Sequence, residues 1–231
     1  MKVKIKKFRN GEFLWEEYEI DGEGNTVLEI LQKIKEEKDP TLSFRAMCRA
    51  GICGTCAVKV NGQHKLACST RVYSDITLEP VDVAPTIKDL IVDHSFIYKK
   101  LKEGKVWFEV LPTNVPLKSN ELKNTEKSWD CILCGICNYV CPAIQEDKNF
   151  GLPSTFTKAY GVIFDKRNAK GDEKLKDLVP LNIQSCTHCK NCTFSCPKEC
   201  NPELLINILE NTMVRYGLIR KKEQDFGFLG F

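Results

Sequence analysis

Residues 131–142, Cys-Ile-Leu-Cys-Gly-Ile-Cys-Asn-Tyr-Val-Cys-Pro, carry four cysteines in the pattern C-x2-C-x2-C-x3-C-P, and the same pattern recurs at residues 186–197. A C-x2-C-x2-C turn presents three thiolates to three corners of one cubane iron–sulfur cluster, so the fourth corner needs a ligand from elsewhere. In two-cluster ferredoxins the fourth cysteine of each run ligates the other cluster. The spacing therefore predicts two clusters, one held by Cys131, Cys134, Cys137 and Cys196 and the other by Cys141, Cys186, Cys189 and Cys192.

Zinc is the alternative interpretation of these two runs. Zinc sites favour two separated C-x2-C pairs with four ligands in total. Two long runs that each end in Cys-Pro fit that arrangement poorly. Iron–sulfur clusters are the favoured interpretation, and a colourless purified protein would be the signature of zinc.

An earlier group of cysteines has the C-x4-C-x2-C spacing of plant-type 2Fe–2S sites, followed by a more distant fourth cysteine. The loop around such a cluster must wrap it closely, and Gly51 and Gly54 have no side chain to obstruct that approach. Backbone N–H groups in the loop can point at the sulfurs and tune the potential. Buried structural cysteines are the alternative, but spacing, glycines and fourth cysteine agree on a 2Fe–2S cluster. The four predicted ligands are Cys48, Cys53, Cys56 and Cys68.

The bulk composition narrows the class of protein. Lys+Arg number 34 against 31 Asp+Glu, a net charge of +3 with no polybasic arm, so no nucleic-acid partner is expected. Thirteen cysteines cannot all pair in disulfides. The N-terminus has no apolar stretch of signal-peptide length, and no run of apolar residues is long enough to span a membrane. A reducing, cytoplasmic setting is expected, where clustered cysteines more often bind metal or do redox chemistry.

The first 80 or so residues indicate a small α+β unit. Residues 3–8 and 13–20 alternate as strands do, and Asn10-Gly11 is a hairpin turn signal between them. Thr26 and Glu29 have the spacing of a capping box at the start of a helix. Residues 57–60 and 64–68 flank a second turn signal, Asn61-Gly62, and residues 76–78 predict one more short strand.

The rest of the chain is predicted to be helical around its cysteines. Apolar spacing over residues 87–97 predicts an amphipathic helix, and the polar residues 113–127 indicate a connector. Short helical segments are expected around the two cysteine runs. A last helix is predicted over residues 202–216, with an apolar face of Leu204, Leu205, Ile208, Leu209 and Met213.

The sequence contains no motif for catalysis on a substrate. No G-x-G-x-x-G follows a strand, and no P-loop or Ser/His/Asp set stands out. We therefore expect the chain to move single electrons between partners that perform the chemistry. Cys200 is expected to be a buried or surface thiol rather than a spare ligand. His64 and His94 are expected to be structural, and His188 is a candidate hydrogen-bond donor to a cluster or a partner.

The order of the cysteine groups resembles that of the iron–sulfur subunit of the succinate dehydrogenase/fumarate reductase family. The resemblance covers almost the whole chain and includes residues 48–56, 87–93, 129–137 and 196–202. It implies an α+β fold, with an N-terminal β-grasp plant-type 2Fe–2S ferredoxin domain at residues 1–104. A C-terminal all-α bacterial-type two-cluster ferredoxin domain would occupy residues 105–231. It also implies a partner flavoprotein with covalent FAD that interconverts succinate and fumarate.

Two departures from the family pattern affect the far end of the electron path. The family's third cluster is usually 3Fe–4S because one cysteine is missing, whereas Cys189 occupies that position here and favours 4Fe–4S. Quinone-reactive members usually have a proline, a tryptophan and a histidine near this cluster. This chain keeps Pro142 but has Glu146 and Thr187 at the other two positions, with His188 one step later. These four residues are the candidate quinone or partner contacts.

Two functions follow from the resemblance and its departures. The first is the electron-transfer subunit of a fumarate reductase or succinate dehydrogenase, joined to the flavoprotein and to a membrane anchor or a soluble heterodisulfide-reductase-like CCG subunit. The second is an iron–sulfur carrier for another flavin-dependent, heterodisulfide-reductase-linked oxidoreductase. Either would be cytoplasmic, or peripheral on the cytoplasmic face of the membrane.

Overall fold

The computed structural model describes residues 1–108, 116 and 118–220. The first part of the chain forms a sheet with a helix packed on it, and the second part is helical. The strands are β1 (Lys2–Arg9), β2 (Glu12–Glu19), β3 (Ala57–Val60), β4 (Gln63–Leu66), β5 (Ile76–Glu79), β6 (Thr86–Lys88) and β7 (Ile91–Val92). The helices are α1 (Val27–Glu37), α2 (Ser95–Glu103), α3 (Ser119–Trp129), α4 (Ile136–Tyr139), α5 (Ala143–Glu146), α6 (Pro153–Phe164), α7 (Asn191–Phe194) and α8 (Pro202–Arg215). Segments of 3-10 helix are Ala67–Ser69, Gly171–Leu181 and Ile183–Ser185.

Five of the strands form one mixed sheet in the order β2-β1-β5-β3-β4. β1 pairs parallel with β5, which aligns Val3 with Ile76 and Ile5 with Leu78. Because side chains alternate along a strand, these four lie on one face of the sheet. They are buried in one apolar cluster with the inner face of α1. The sheet with its helix, followed by a helical region, confirms the predicted fold class.

The local signals in the first part of the chain are confirmed. Asn10-Gly11 and Asn61-Gly62 both form two-residue hairpin turns with φ positive at each position, at 52° and 88° and at 47° and 78°. The capping box also forms. The Glu29 N–H donates to Thr26 Oγ1 at 3.2 Å, and the Thr26 N–H donates to the Glu29 carboxylate at 2.7 Å.

The helix predicted over residues 87–97 is wrong in its first two-thirds. β6 and β7 form a short antiparallel hairpin there, and α2 begins only at Ser95. The cause is Asp89, whose φ of 47° ends any helical path. Its buried carboxylate accepts hydrogen bonds from the Arg9 guanidinium at 2.9 Å and the Ser43 N–H at 2.8 Å. These long-range contacts override the local apolar spacing.

The connector predicted over residues 113–127 is wrong from residue 119 onward, where α3 forms; residues 113–115 and 117 lie outside the described residues. The helix is polar in sequence but packs closely against α6. Ser128 Oγ donates to the Thr157 carbonyl at 2.5 Å and lies directly over Gly161, where any side chain would collide with it. A small, polar contact surface therefore replaces the apolar face by which a packed helix is usually recognised.

The helical core is centred on α6, which packs against α8, α3 and the 3-10 segment Gly171–Leu181. The sequence did not single out α6, because almost every residue in it is buried and no amphipathic period results. The predicted helix α8 is confirmed, but its apolar face is wrong at Leu204, which is exposed, whereas Ile206 is fully buried. No helix in the described ranges is long and apolar enough to cross a membrane.

The two parts of the chain share a packed interface. Cys134 and Ile136 are buried in the same apolar cluster as the sheet and α1, and Ile132 packs against it. The Tyr139 hydroxyl lies 3.1 Å from His94 Nδ1, and its ring lies 5.6 Å from that of His64. Both histidines are therefore structural, as predicted. The interface brings the first cysteine run against the sheet.

A buried lysine anchors β1 to β2 and to the end of α1. Lys7 is fully buried, and its ammonium donates to Glu16 at 2.6 Å, Asp39 at 2.7 Å and the Tyr18 hydroxyl at 3.0 Å. The Lys7 ammonium holds the pKa of Asp39 well below its ordinary value against the opposing effect of burial. Burial, together with the hydrogen bond to Glu16, raises the pKa of Tyr18 to about 12. The hydroxyl is thus a neutral member of a charged network.

Tyr18→Phe should lower the free energy of unfolding by about 1.5–3 kcal/mol, since the lost hydroxyl bonds charged groups. At this chain length each kcal/mol corresponds to roughly 2–4 °C in Tm, measured by circular dichroism on the anaerobic protein. Tyr73→Phe is the matched control, because Tyr73 is 68% exposed and should change stability by less than about 0.5 kcal/mol. Equal Tm values for the two variants would contradict a stabilising role for the Tyr18 hydroxyl.

Candidate iron–sulfur cluster sites

The first cysteine group lies in the loop between α1 and β3. Cys48 Sγ accepts hydrogen bonds from three backbone N–H groups, those of Ala50 at 3.4 Å, Ile52 at 3.4 Å and Cys53 at 3.3 Å. These donors, that of Ala50 first, lower the pKa of Cys48 to about 6. The loop backbone therefore stabilises a thiolate at this position, which is the form that binds metal.

The fourth member of this group approaches from the end of β4. Cys68 Sγ accepts a hydrogen bond from the Gly51 N–H at 3.2 Å and lies 3.4 Å from Cys56 Sγ. Gly51 adopts a φ of 65°, which turns its N–H toward the sulfur. Burial raises the pKa of Cys56 to about 11. Cys68 is thus next to the loop cysteines, where the sequence predicts it.

The second group joins residues from both C-terminal runs. Cys196 lines one cavity together with the first three cysteines of the earlier run, Cys131, Cys134 and Cys137. Cys196 is close enough to all three of those thiols to interact with them electrostatically. Burial raises the pKa of Cys134 to about 12, so without metal this thiol is protonated at neutral pH. A cluster binding here would displace protons from the buried thiols.

The third group is the reciprocal set. Cys141 lies near Cys186 and Cys189, and Cys192 lies near all three, close enough for their thiols to interact electrostatically. Burial raises the pKa of Cys192 to about 12, whereas Cys189 is the exposed member of the set. The fold thus brings the fourth cysteine of each run to the other run, the exchange that the sequence pattern predicts.

The donor chemistry of the three groups fits iron–sulfur clusters. Each group offers four cysteine sulfurs, the ligand type that 2Fe–2S and 4Fe–4S clusters use, and several sulfurs also accept backbone N–H bonds. Within the described ranges no group of three or more His, Cys, Asp or Glu side chains is arranged to hold a metal ion. In a cluster the thiolates bind separate irons.

The loops of the first and second groups touch at Gly54. A Cβ atom built on Gly54 would lie 2.8 Å from the Ile132 carbonyl oxygen and 2.9 Å from Cys134 Cα. Only hydrogen fits between these backbones. The sequence predicts that Gly54 leaves room for a cluster, but the contact with the second group depends on the packing of the two parts and has no local signal.

The four candidate partner contacts differ in their exposure to solvent. Pro142 precedes α5, and Glu146 at the end of α5 and Thr187 are exposed. Both ring nitrogens of His188 contact carboxylates of α8, with Nδ1 3.0 Å from Glu203 and Nε2 3.0 Å from Glu210. Glu146 and Thr187 are therefore the accessible members of this set.

Comparison with known proteins agrees with the site chemistry. A family model described as a 2Fe-2S iron-sulfur cluster binding domain matches residues 2–99, and one described as a 4Fe-4S dicluster domain matches residues 127–200. A chain from the structure "Mycobacterium smegmatis Sdh1 complex in the apo form" superposes with a TM-score of 0.84 at 20% identity, covering 96% of this chain and 98% of that one. Fold and sites together define an iron–sulfur protein with one 2Fe–2S domain and one 4Fe–4S dicluster domain.

A curated relative narrows this class. The succinate dehydrogenase iron-sulfur subunit of Paracoccus denitrificans is 33% identical over 207 residues, which are 85% of this chain and 79% of the relative. The chain belongs to the succinate dehydrogenase/fumarate reductase family of iron–sulfur subunits.

Proposed function

We propose that this chain relays single electrons as the iron–sulfur subunit of a fumarate reductase/succinate dehydrogenase complex. A flavoprotein subunit with FAD would interconvert fumarate and succinate at one end. A quinone or a soluble thiol/heterodisulfide-type partner would exchange electrons at the other. The observation that carries the proposal is the backbone contact of Gly54 with Ile132 and Cys134, because it joins the first cysteine loop directly to the second.

Three clusters would form the relay. The 2Fe–2S cluster is held by Cys48, Cys53, Cys56 and Cys68. The middle 4Fe–4S cluster is held by Cys131, Cys134, Cys137 and Cys196. The third cluster is held by Cys141, Cys186, Cys189 and Cys192, and its four thiolates favour 4Fe–4S over 3Fe–4S. Each cluster supplies one-electron oxidation and reduction, and together they contain about ten irons.

Purification of the chain with its partners tests the proposed function. The complex should contain a flavoprotein, reduce fumarate or oxidise succinate, and have about ten irons in this subunit. A complex that lacks flavin would overturn the assignment to this enzyme class. A colourless protein without iron would overturn the cluster assignment itself.

The flavoprotein would dock on the surface around the first cluster loop. Two apolar side chains of that loop are unusually exposed, Met47 at 71% and Ile52 at 63%. Apolar side chains that cover a surface loop in this way mark an interaction site when they are contiguous. Contact at this point would bring the flavin close to the first cluster.

Ile52→Glu should weaken the flavoprotein complex by roughly 10- to 100-fold, because burial of an isoleucine contributes about 1.5–3 kcal/mol. Binding of the purified subunits can be measured by calorimetry under anaerobic conditions. Ile87→Glu, at a comparably exposed isoleucine of β6 (58%), is the matched control and should leave the affinity unchanged. Equal affinities for the two variants would place the interface elsewhere.

The partner at the third cluster would be either a membrane anchor or a soluble subunit. Exposed Glu146 and Thr187 occupy the positions where quinone-reactive relatives have other residues, which fits either a different quinone site beside a membrane anchor or a soluble heterodisulfide-reductase-like CCG subunit. With the soluble subunit the chain would act in the cytoplasm; with an anchor it would be peripheral on the cytoplasmic membrane face. Fumarate reduction driven by thiols but not by a reduced quinone would support the soluble partner, and the opposite result would support the anchor.

A further inference from the structure

Lys158 holds a positive charge beside the first of the two C-terminal cysteine runs. It lies on α6 and is half-buried. Its ammonium donates to the Trp129 carbonyl at 3.4 Å and lies 5.5 Å from the centre of the Trp129 ring. Trp129 is the last residue of α3 and precedes Cys131 by two positions. The ammonium is therefore held at the start of the run that supplies three of the proposed ligands of the middle cluster.

The position of this charge follows from the packing of two helices. α6 packs against α3, and the Thr157 carbonyl next to Lys158 accepts the hydrogen bond from Ser128, the neighbour of Trp129. A lysine ammonium over the face of a tryptophan is attracted by the charge distribution of the ring. The carbonyl of the same tryptophan accepts one of its protons. The ammonium is thus fixed by contacts that an exposed lysine lacks.

The charge of Lys158 is not cancelled by an ion pair with any carboxylate of the described residues. Asp165, just after α6, is paired with the Arg167 guanidinium at 2.7 Å. Asp130, which follows Trp129, is exposed, so water and salt screen its charge. Lys158 is close enough to Cys131 to interact electrostatically with its sulfur. The positive charge therefore acts on the site of the middle cluster.

The third group of cysteines has acidic side chains of a packed helix beside it. Glu203 and Glu210 of α8 contact His188 inside the last cysteine run, and both are close enough to Cys186 to interact electrostatically with its thiol. The two C-terminal runs have the same cysteine spacing. They nevertheless lie in different electrostatic surroundings, with a cation beside the first run and two carboxylates beside the second.

We propose that Lys158 raises the reduction potential of the middle cluster through its positive charge. Cluster potentials depend on net charge, on hydrogen bonds to the sulfurs and on solvent exposure. Reduction adds a negative charge to the cluster, and a cation held nearby stabilises that charge more strongly where water is largely excluded. The inference rests on the proposed function only through the ligand set of the middle cluster.

Redox titration of the complete complex tests the inference, with the reduced clusters followed by electron paramagnetic resonance. Lys158→Met keeps an apolar stem over Trp129 but removes the charge, so the potential of the middle cluster should become more negative while that of the third stays unchanged. Lys158→Arg keeps the charge and should have a potential close to that of the wild type. Lys127→Met is the matched control, because it removes an exposed lysine of α3 whose charge is screened, and it should leave the potential unchanged.

The results separate this inference from the function on which it rests. An unchanged potential in Lys158→Met overturns the inference and leaves the relay intact. Equal negative shifts in Lys158→Met and Lys158→Arg also overturn it, because packing on Trp129 rather than charge would then set the potential. Loss of the middle cluster from Lys158→Met contradicts it as well, since a charge effect leaves all four ligands in place.

The wild-type complex tests the proposed function before any variant is compared. A complex without flavin contradicts the proposed function, but the potentials of the Lys158 variants can still be compared in it. A wild-type protein without a middle 4Fe–4S cluster contradicts both the proposed function and the inference.

Discussion

Replacing Gly54 by alanine is expected to destabilise the protein by about 2–5 kcal/mol and to slow electron transfer from the first cluster to the second. Gly54 has a φ of 71°, where a Cβ atom costs roughly 1–2 kcal/mol. The new atom would also collide with the Ile132 carbonyl and with Cys134, at distances of 2.8–3.0 Å. Since these are backbone and Cβ atoms, no side-chain rotation can relieve the collision, and the two cluster loops must move apart.

Gly62→Ala separates the collision from the backbone strain. Gly62 has a similar φ of 78° in the turn between β3 and β4, but nothing lies within 4 Å of the place that a Cβ atom would occupy there. It should therefore cost only about 1–2 kcal/mol and leave electron transfer unchanged. Thermal unfolding measures the first effect. Freeze-quenched samples taken after addition of succinate measure the second, because reduced 2Fe–2S cluster should accumulate in Gly54→Ala alone.

Equal electron-transfer rates in the two glycine variants would contradict the role of the Gly54 contact in the relay. Equal losses of stability would show that the two loops can separate without cost. A substitution on the other loop is a second control. Ile132→Ala keeps its carbonyl in place and should preserve the rate, because the contact to Gly54 is made by the backbone.

The sequence predicts those features whose causes are local. The turns at Asn10-Gly11 and Asn61-Gly62 and the capping box of Thr26 with Glu29 depend on residues within a few positions, and all three form. The fold class and the family follow from cysteine spacing, because each loop must wrap its cluster within a fixed number of residues. Constraints of this kind produce sequence patterns that can be recognised without the structure.

The features that the sequence did not predict depend on partners far along the chain. The β6–β7 hairpin replaces a helix because Asp89 bonds Arg9 and Ser43, both in the first part of the chain. α3 packs on α6 through the contact of Ser128 with Thr157 and Gly161. The sequence of α3 has no apolar periodicity from which this packing could be predicted. Apolar spacing alone therefore predicts secondary structure poorly where a buried polar side chain bonds a residue far away in the sequence.

In the candidate sites, too, features with local causes could be predicted and features that depend on distant residues could not. The structure brings together the cysteines that the spacing groups, with Cys196 beside the first run and Cys141 beside the second, and their roles as cluster ligands stay predictions. The contact of Gly54 with Ile132 and Cys134 could not be predicted, because it exists only after the two loops have packed. The position of His188 inside a cysteine run predicts a contact to a cluster or a partner, and the two carboxylates that α8 places beside its ring could not be predicted from that run.

Cys189→Ala should convert the third cluster from 4Fe–4S to 3Fe–4S. The iron content should fall from about ten to about nine, and a 3Fe–4S signal should appear in the oxidised protein. The physical reason is exposure: Cys189 is the exposed member of its group, whereas Cys186 and Cys192 are buried. Removal of its thiolate leaves one iron at a corner open to solvent, and the other three keep their ligands.

Cys200→Ala is the matched control for this change, because it removes a thiol without removing a proposed ligand. It should retain about ten irons and show no 3Fe–4S signal when oxidised. Retention of every iron in Cys189→Ala would mean that another group binds the fourth corner. A strong oxidised-state 3Fe–4S signal in undamaged wild-type protein would contradict the assignment of Cys189 directly, since the cluster would then lack its fourth iron even with all four cysteines present.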